Sequence, residues 1–96
     1  MALCTSVPMS ANYWLVDLPA YVANGLNYLV EQYAGVTRRL ADEAGLPLAE
    51  VYEAFQLHPR RDELIPDGIH PGPRGQRLIA ATLLPVLARE LSRGAG

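Results

Sequence analysis

Ninety-six residues, half of them apolar, can bury one modest core, so the chain is at most one domain or part of one. Ten acids stand against eight arginines and no lysine, and the formal charge of −2 offers no cationic field for a nucleic-acid backbone. Cys4 is alone, which excludes an internal disulfide and a cysteine-based metal cluster within the chain. Met1, Ala2, Leu3 and Cys4 do not read as the cationic leader of a signal peptide, no stretch approaches the ~20 apolar residues of a membrane span, and the compartment stays open.

In chain order, residues 2–7 form a short run stopped by Pro8, which suits a buried strand that ends at a loop. Residues 10–24 mix Tyr13, Trp14, Pro19 and Tyr21 without a period and are expected to be an irregular connection with a short helical turn. From Leu26, the residues Leu29, Val30, Tyr33, Leu40 and Ala44 recur at helical spacing, with Glu31, Arg38, Arg39 and Asp42 elsewhere on the wheel. Gly45 and Pro47 supply the stop signal of this amphipathic helix. Residues 48–55 fit a helical face or a short buried strand equally well. Residues 56–71 hold three prolines and the charged run Arg60, Arg61, Asp62, Glu63, and are expected to be a surface loop. Pro73 is well placed to begin a second amphipathic helix with Ala80, Leu83, Leu84, Leu87 and Leu91 along one face and Pro85 as an internal kink or break.

The chemistry-bearing segment is Leu64-Ile65-Pro66-Asp67-Gly68-Ile69-His70-Pro71-Gly72-Pro73-Arg74-Gly75. Gly68 lets the chain turn sharply after Asp67, and Pro71 pushes His70 toward an extended conformation, so local geometry can bring carboxylate and imidazole together. The carboxylate would then accept the Nδ1 proton, fixing the tautomer and leaving Nε2 to take a proton from a hydroxyl nucleophile. By spacing alone, an Asp and a His in a proline-rich loop are more often plain surface residues.

The segment Asp67-Gly68-Ile69-His70-Pro71, followed by Gly75 and the helical Leu78-Ile79-Ala80, resembles the last sequence block of the SGNH/GDSL hydrolase family. That resemblance implies that Asp67 and His70 are the catalytic Asp and His of a serine ester hydrolase acting on a small-molecule or acyl ester, with no cofactor and no metal. Upstream, Leu3-Cys4-Thr5-Ser6-Val7-Pro8 resembles the strand and proline before the penultimate helix of the family, and residues 45–55 its next strand, with Glu50 where members often have Asp. On this view residues 48–52 are a strand. The implied fold class is α/β: residues 1–93 are the C-terminal part of a three-layer α/β/α SGNH-hydrolase-like fold with a mainly parallel sheet, here incomplete, and residues 94–96 a disordered tail.

The family's Gly-Asp-Ser nucleophile block, its oxyanion glycine block and its Gly-x-Asn-Asp block do not occur in the chain. The serines are Ser6, Ser10 and Ser92, none flanked as an activated nucleophile, and the chain alone is expected to be inactive. Three other readings are weighed. Residues 38–51 resemble a helix-turn-helix, but its second helix would offer Glu50 and Glu53 to the phosphates. His58, Asp67 and His70 match no strong metal-ligand spacing. A truncated, non-catalytic piece would expose a parallel-sheet edge and self-associate or dock on a partner.

Overall fold

The computed structural model describes residues 2–95. Their element order is β1 (Leu3–Cys4), α1 (Pro19–Asn24), α2 (Tyr28–Ala44), β2 (Leu48–Ala49), α3 (Val51–Gln56), α4 (Arg61–Leu64) and α5 (Pro73–Ala95). The class is mixed α/β and mostly helical, with one two-stranded parallel sheet among the described residues. Leu3 pairs with Leu48 and Cys4 with Ala49, and the flanking bonds Leu3 N to Pro47 O (2.9 Å) and Thr5 N to Ala49 O (3.0 Å) extend the ladder. Parallel neighbours need a long crossover, which the chain between the strands supplies through α1 and α2.

The end of α2 follows from its sequence. Gly45 is left-handed (φ 65°), its N–H returns to Ala41 and Asp42, and the N–H of Leu46 bonds Ala41 O at 2.8 Å, so the last carbonyls of the helix are satisfied before Pro47. The face of α2 that packs inward is unexpected. Ala34 and Ala41 are buried, whereas Leu29, Tyr33, Val36 and Leu40 form an exposed apolar row. The helix approaches the sheet on its small residues and leaves its larger apolar groups in water. In α5, Leu78 and Ile79 pack against the core while Leu84, Leu87 and Leu91 farther along the helix are exposed. A flattened shape results, with principal extents of 51 × 29 × 17 Å and a radius of gyration of 14.8 Å. A compact domain of this length would have roughly 12.5 Å.

Two expectations are corrected. The strand expected over residues 48–52 ends at Ala49, because the buried Thr5 hydroxyl accepts the N–H of Tyr52 (2.9 Å) and caps a new helix there. That helix, α3, lays Val51 and Phe55 into the core, where a continued strand would have sent alternate residues out. Residues 56–71 are not wholly a surface loop: they contain α4, and Leu64 and Ile65 join Val51 and Phe55 in the main apolar cluster. Residues 10–24 end in a six-residue helix, α1, begun by Pro19. Pro85 sits inside α5 without ending it; α5 runs to Ala95, and Gly96 of the expected tail lies outside the described residues.

Polar bonds tie the elements together at the sheet's end. Arg38 of α2 donates from both Nε and Nη2 to the two carboxylate oxygens of Glu50, each at 2.8 Å, and this bond holds the guanidinium above its ordinary pKa. Both side chains are partly solvated, so the pair contributes at most about 1 kcal/mol. The Tyr52 hydroxyl donates to Glu31 (3.0 Å) and accepts from Gln56 (2.8 Å), which in turn accepts from Arg61 (2.6 Å). Burial, and then the bond to Glu31, raises the Tyr52 pKa. The helix-turn-helix alternative needs a tight turn where β2 stands, and its acidic Glu50 is engaged by Arg38.

Candidate active site

The loop between α4 and α5 is pinched at its base, where the N–H of Gly72 bonds Leu64 O at 2.9 Å. Gly75, in the first turn of α5, lies so close to this base that a Cβ there would stand 2.6 Å from Leu64 O and 2.8 Å from Pro71 Cβ. Glycine at 75 is therefore what lets the helix start against the loop. At the tip, the N–H of Gly68 bonds Ile65 O (3.1 Å), and Gly68 takes φ +90°. A Cβ at Gly68 would also run into the Tyr13 backbone, so both conformation and space demand glycine.

With the turn made, Asp67 folds back over its own chain. Its Oδ1 accepts the N–H groups of Ile69 (2.9 Å) and His70 (2.6 Å), and its Oδ2 lies 2.6 Å from His70 Nδ1. The two side chains singled out in the sequence are thus brought together. Those backbone N–H groups, that of His70 foremost, and then the imidazole lower the Asp67 pKa from 3.8 to about 2. An ionised carboxylate can only accept, so the proton between the groups sits on Nδ1, and whenever the imidazole is neutral its bare nitrogen is Nε2. Nε2 has no hydrogen-bond partner among the described residues.

A pH dependence follows. The folded-state pKa of Asp67 lies below its unfolded value, so the unfolded chain takes up the proton first as acid is added. Ionised Asp67 favours the fold at all pH above 3.8, and this contribution is lost as pH falls through about 2. Unfolding midpoints followed between about pH 5 and 2 should therefore fall more steeply in the wild-type chain than in Asp67→Asn. Equal slopes would remove the carboxylate clasp.

The site is open. The side chains of Asp67 and His70 are 52 % and 76 % exposed. The nearby groove of about 370 Å³, lined by Glu63, Pro66, Gly72, Pro73, Arg74 and Arg77, takes in neither of them. Ser10 is buried with its hydroxyl donating to Ile65 O (2.7 Å), Ser6 and Ser92 are exposed, and no serine is bonded to His70 among the described residues. His58 turns inward on its own loop, its Nδ1 accepting the N–H of Arg60 (3.1 Å). No group of three or more His, Cys, Asp and Glu side chains placed to hold a metal occurs among the described residues. No helix among them is long and apolar enough to cross a membrane.

No local pattern marks the residues that brace this loop from outside. Ser10 N donates to Gly68 O (3.0 Å), Ala11 N to Asp62 Oδ1 (3.1 Å), and Asn12 Nδ2 to both Asp62 O (2.7 Å) and Ile65 O (3.2 Å). These partners lie 50 or more positions apart in the chain, beyond any local pattern. Comparison of the chain with protein-family models, with curated proteins and with solved structures finds no match.

Proposed function

We propose that the chain is the C-terminal portion of an SGNH/GDSL-type serine ester hydrolase of three-layer α/β/α architecture, in which His70 is the general acid and base and Asp67 its orienter. The observation that carries this reading is the 2.6 Å clasp between His70 Nδ1 and Asp67 Oδ2, with Nε2 uncommitted among the described residues. In the reaction, Nε2 takes the proton of a serine hydroxyl as its oxygen attacks the ester carbonyl, Asp67 favours the imidazolium so formed, and His70 returns the proton to the departing alkoxide. Water then releases the acyl group by the same relay. The serine and the donors that stabilise the oxyanion are supplied by another segment. The exposed apolar rows on α2 and α5 support this, because helices flanking a larger sheet would cover such rows with further chain.

The same rows also favour a second reading, a non-catalytic piece that docks through them. One experiment separates the two: residues 2–95 are grafted in place of the matching C-terminal segment of an active SGNH esterase. Turnover of a short-chain p-nitrophenyl ester that disappears in the His70→Ala chimera supports the hydrolase. A folded chimera without turnover, or one indifferent to His70→Ala, leaves only the docking piece.

A further inference from the structure

The loop that holds Asp67 and His70 is attached to the rest of the protein through its carbonyl groups. The Ile65 carbonyl accepts three bonds, from the turn's own Gly68 N–H (3.1 Å), the Ser10 hydroxyl (2.7 Å) and the Asn12 amide (3.2 Å). The Asn12 amide also donates to Asp62 O at 2.7 Å and so spans both ends of residues 62–65. On the other side of the tip, Gly68 O accepts the N–H of Ser10, and the Tyr13 backbone sits where a Gly68 side chain would be. Residues 10–13 therefore form a bracket against the turn that creates the Asx-like clasp on Asp67 Oδ1. Within this bracket the Ser10 side chain is buried, whereas Asn12 is exposed and, among the described residues, its side chain bonds to Asp62 O of α4 and to Ile65 O at the loop's base.

We infer that Asn12 is a positioning residue for the Asp67–His70 pair, its amide tying the Asp62 carbonyl of α4 to the Ile65 carbonyl at the loop's base so that the turn keeps the Asp67 carboxylate under the imidazole. What the pair is used for rests on the hydrolase reading above, but the geometry of the bracket does not. Without the Asn12 amide, the Ser10 bonds to Ile65 O and Gly68 O and the Ala11 bond to Asp62 Oδ1 remain, but the carbonyls of residues 62 and 65 are no longer tied to each other. The turn at Gly68 then rests on a looser base from which Ile69 and His70 point their N–H groups at Asp67 Oδ1.

The test uses the 96-residue chain and amide hydrogen exchange followed by NMR at neutral pH. Asn12→Ala is expected to speed exchange at Ile69 and His70 by about tenfold, the loss of roughly one well-made hydrogen bond, while α3 amides keep their protection. Thr5→Val serves as the comparison: it removes the buried cap of α3 and lowers overall stability, yet should leave Ile69 and His70 no faster than the α3 amides. Titration of the Asp67 carboxyl is the second readout, expected to move from about 2 toward 3.8 in Asn12→Ala and to stay in place in Thr5→Val. The inference is overturned by an Asn12→Ala chain in which exchange at Ile69 and His70 and the Asp67 titration are unchanged. It is equally overturned if Asn12→Ala fails to fold where Thr5→Val folds, since the amide would then be holding the fold and not the pair. Either failure would leave the hydrolase reading to the chimera's turnover.

Discussion

In the esterase chimera, His70→Ala is expected to lower kcat by roughly 10⁴- to 10⁶-fold with KM little changed, as when the base of a serine triad is removed. On the proposed reading Nε2 is the group that takes and returns the proton, and the chain's other imidazole, His58, is engaged with the Arg60 N–H on its own loop. Asp67→Asn is expected to cost about 10⁴-fold, again mainly in kcat. Its amide oxygen can still receive the N–H groups of Ile69 and His70, so the turn survives. The amide nitrogen that replaces Oδ2 cannot accept from Nδ1, however, and the imidazole then turns its lone pair toward residue 67 and its proton toward the serine. A steady-state comparison of the two variants checks this. A loss that fell mainly in KM would mean that the pair binds substrate without moving protons.

Phe55→Ala should produce the largest change in stability. Phe55 is fully buried at the centre of the cluster formed with Val51, Leu64 and Ile65, on which Val7, Leu78 and Ile79 pack. Truncating such a ring costs about 3–5 kcal/mol, the lost transfer energy together with the cavity left behind. A chain of this length has a total stability of about 5–15 kcal/mol, so the variant should sit close to its unfolding threshold. Urea titration read by circular dichroism measures the effect. Leu57→Ala, at a side chain 75 % exposed, is the companion variant and should change stability by no more than about 0.5 kcal/mol. Similar midpoints for the two variants would mean that the core does not lie where α3, α4 and α5 meet.

The same cluster explains why the dyad's loop is firm at its base and solvated at its tip. Leu64 and Ile65 are buried immediately before Pro66 and Asp67, so the loop leaves the core and returns to it through Gly72 and Gly75 within a few residues. Asp67 and His70 are carried outward on this short span. Their exposure fits a site walled by a further segment, because proton relays and oxyanion stabilisation strengthen when water is excluded.

The sequence by itself determined what depends on neighbours in the chain. The helix ending at Gly45, the helix begun by Pro73, and the meeting of Asp67 with His70 are local events, set by a left-handed glycine, a proline at a first helical position and a sharp turn at Gly68. Tertiary structure decided what depends on distant partners. Residues 48–52 satisfied strand and helix patterns alike, and only the Thr5 hydroxyl, 47 positions away, ended the strand and capped the helix. Leu64 and Ile65 sat among prolines and charges, yet packing against Val51 and Phe55 of α3 and Leu78 and Ile79 of α5 took them into the core. Periodicity marked the apolar stripes of α2 and α5 but not which side of each helix would be covered, because burial is settled by the surface a helix meets. The bracket at Ser10 and Asn12 was likewise invisible: a single amide donating across 50 positions leaves no pattern in the order of residues.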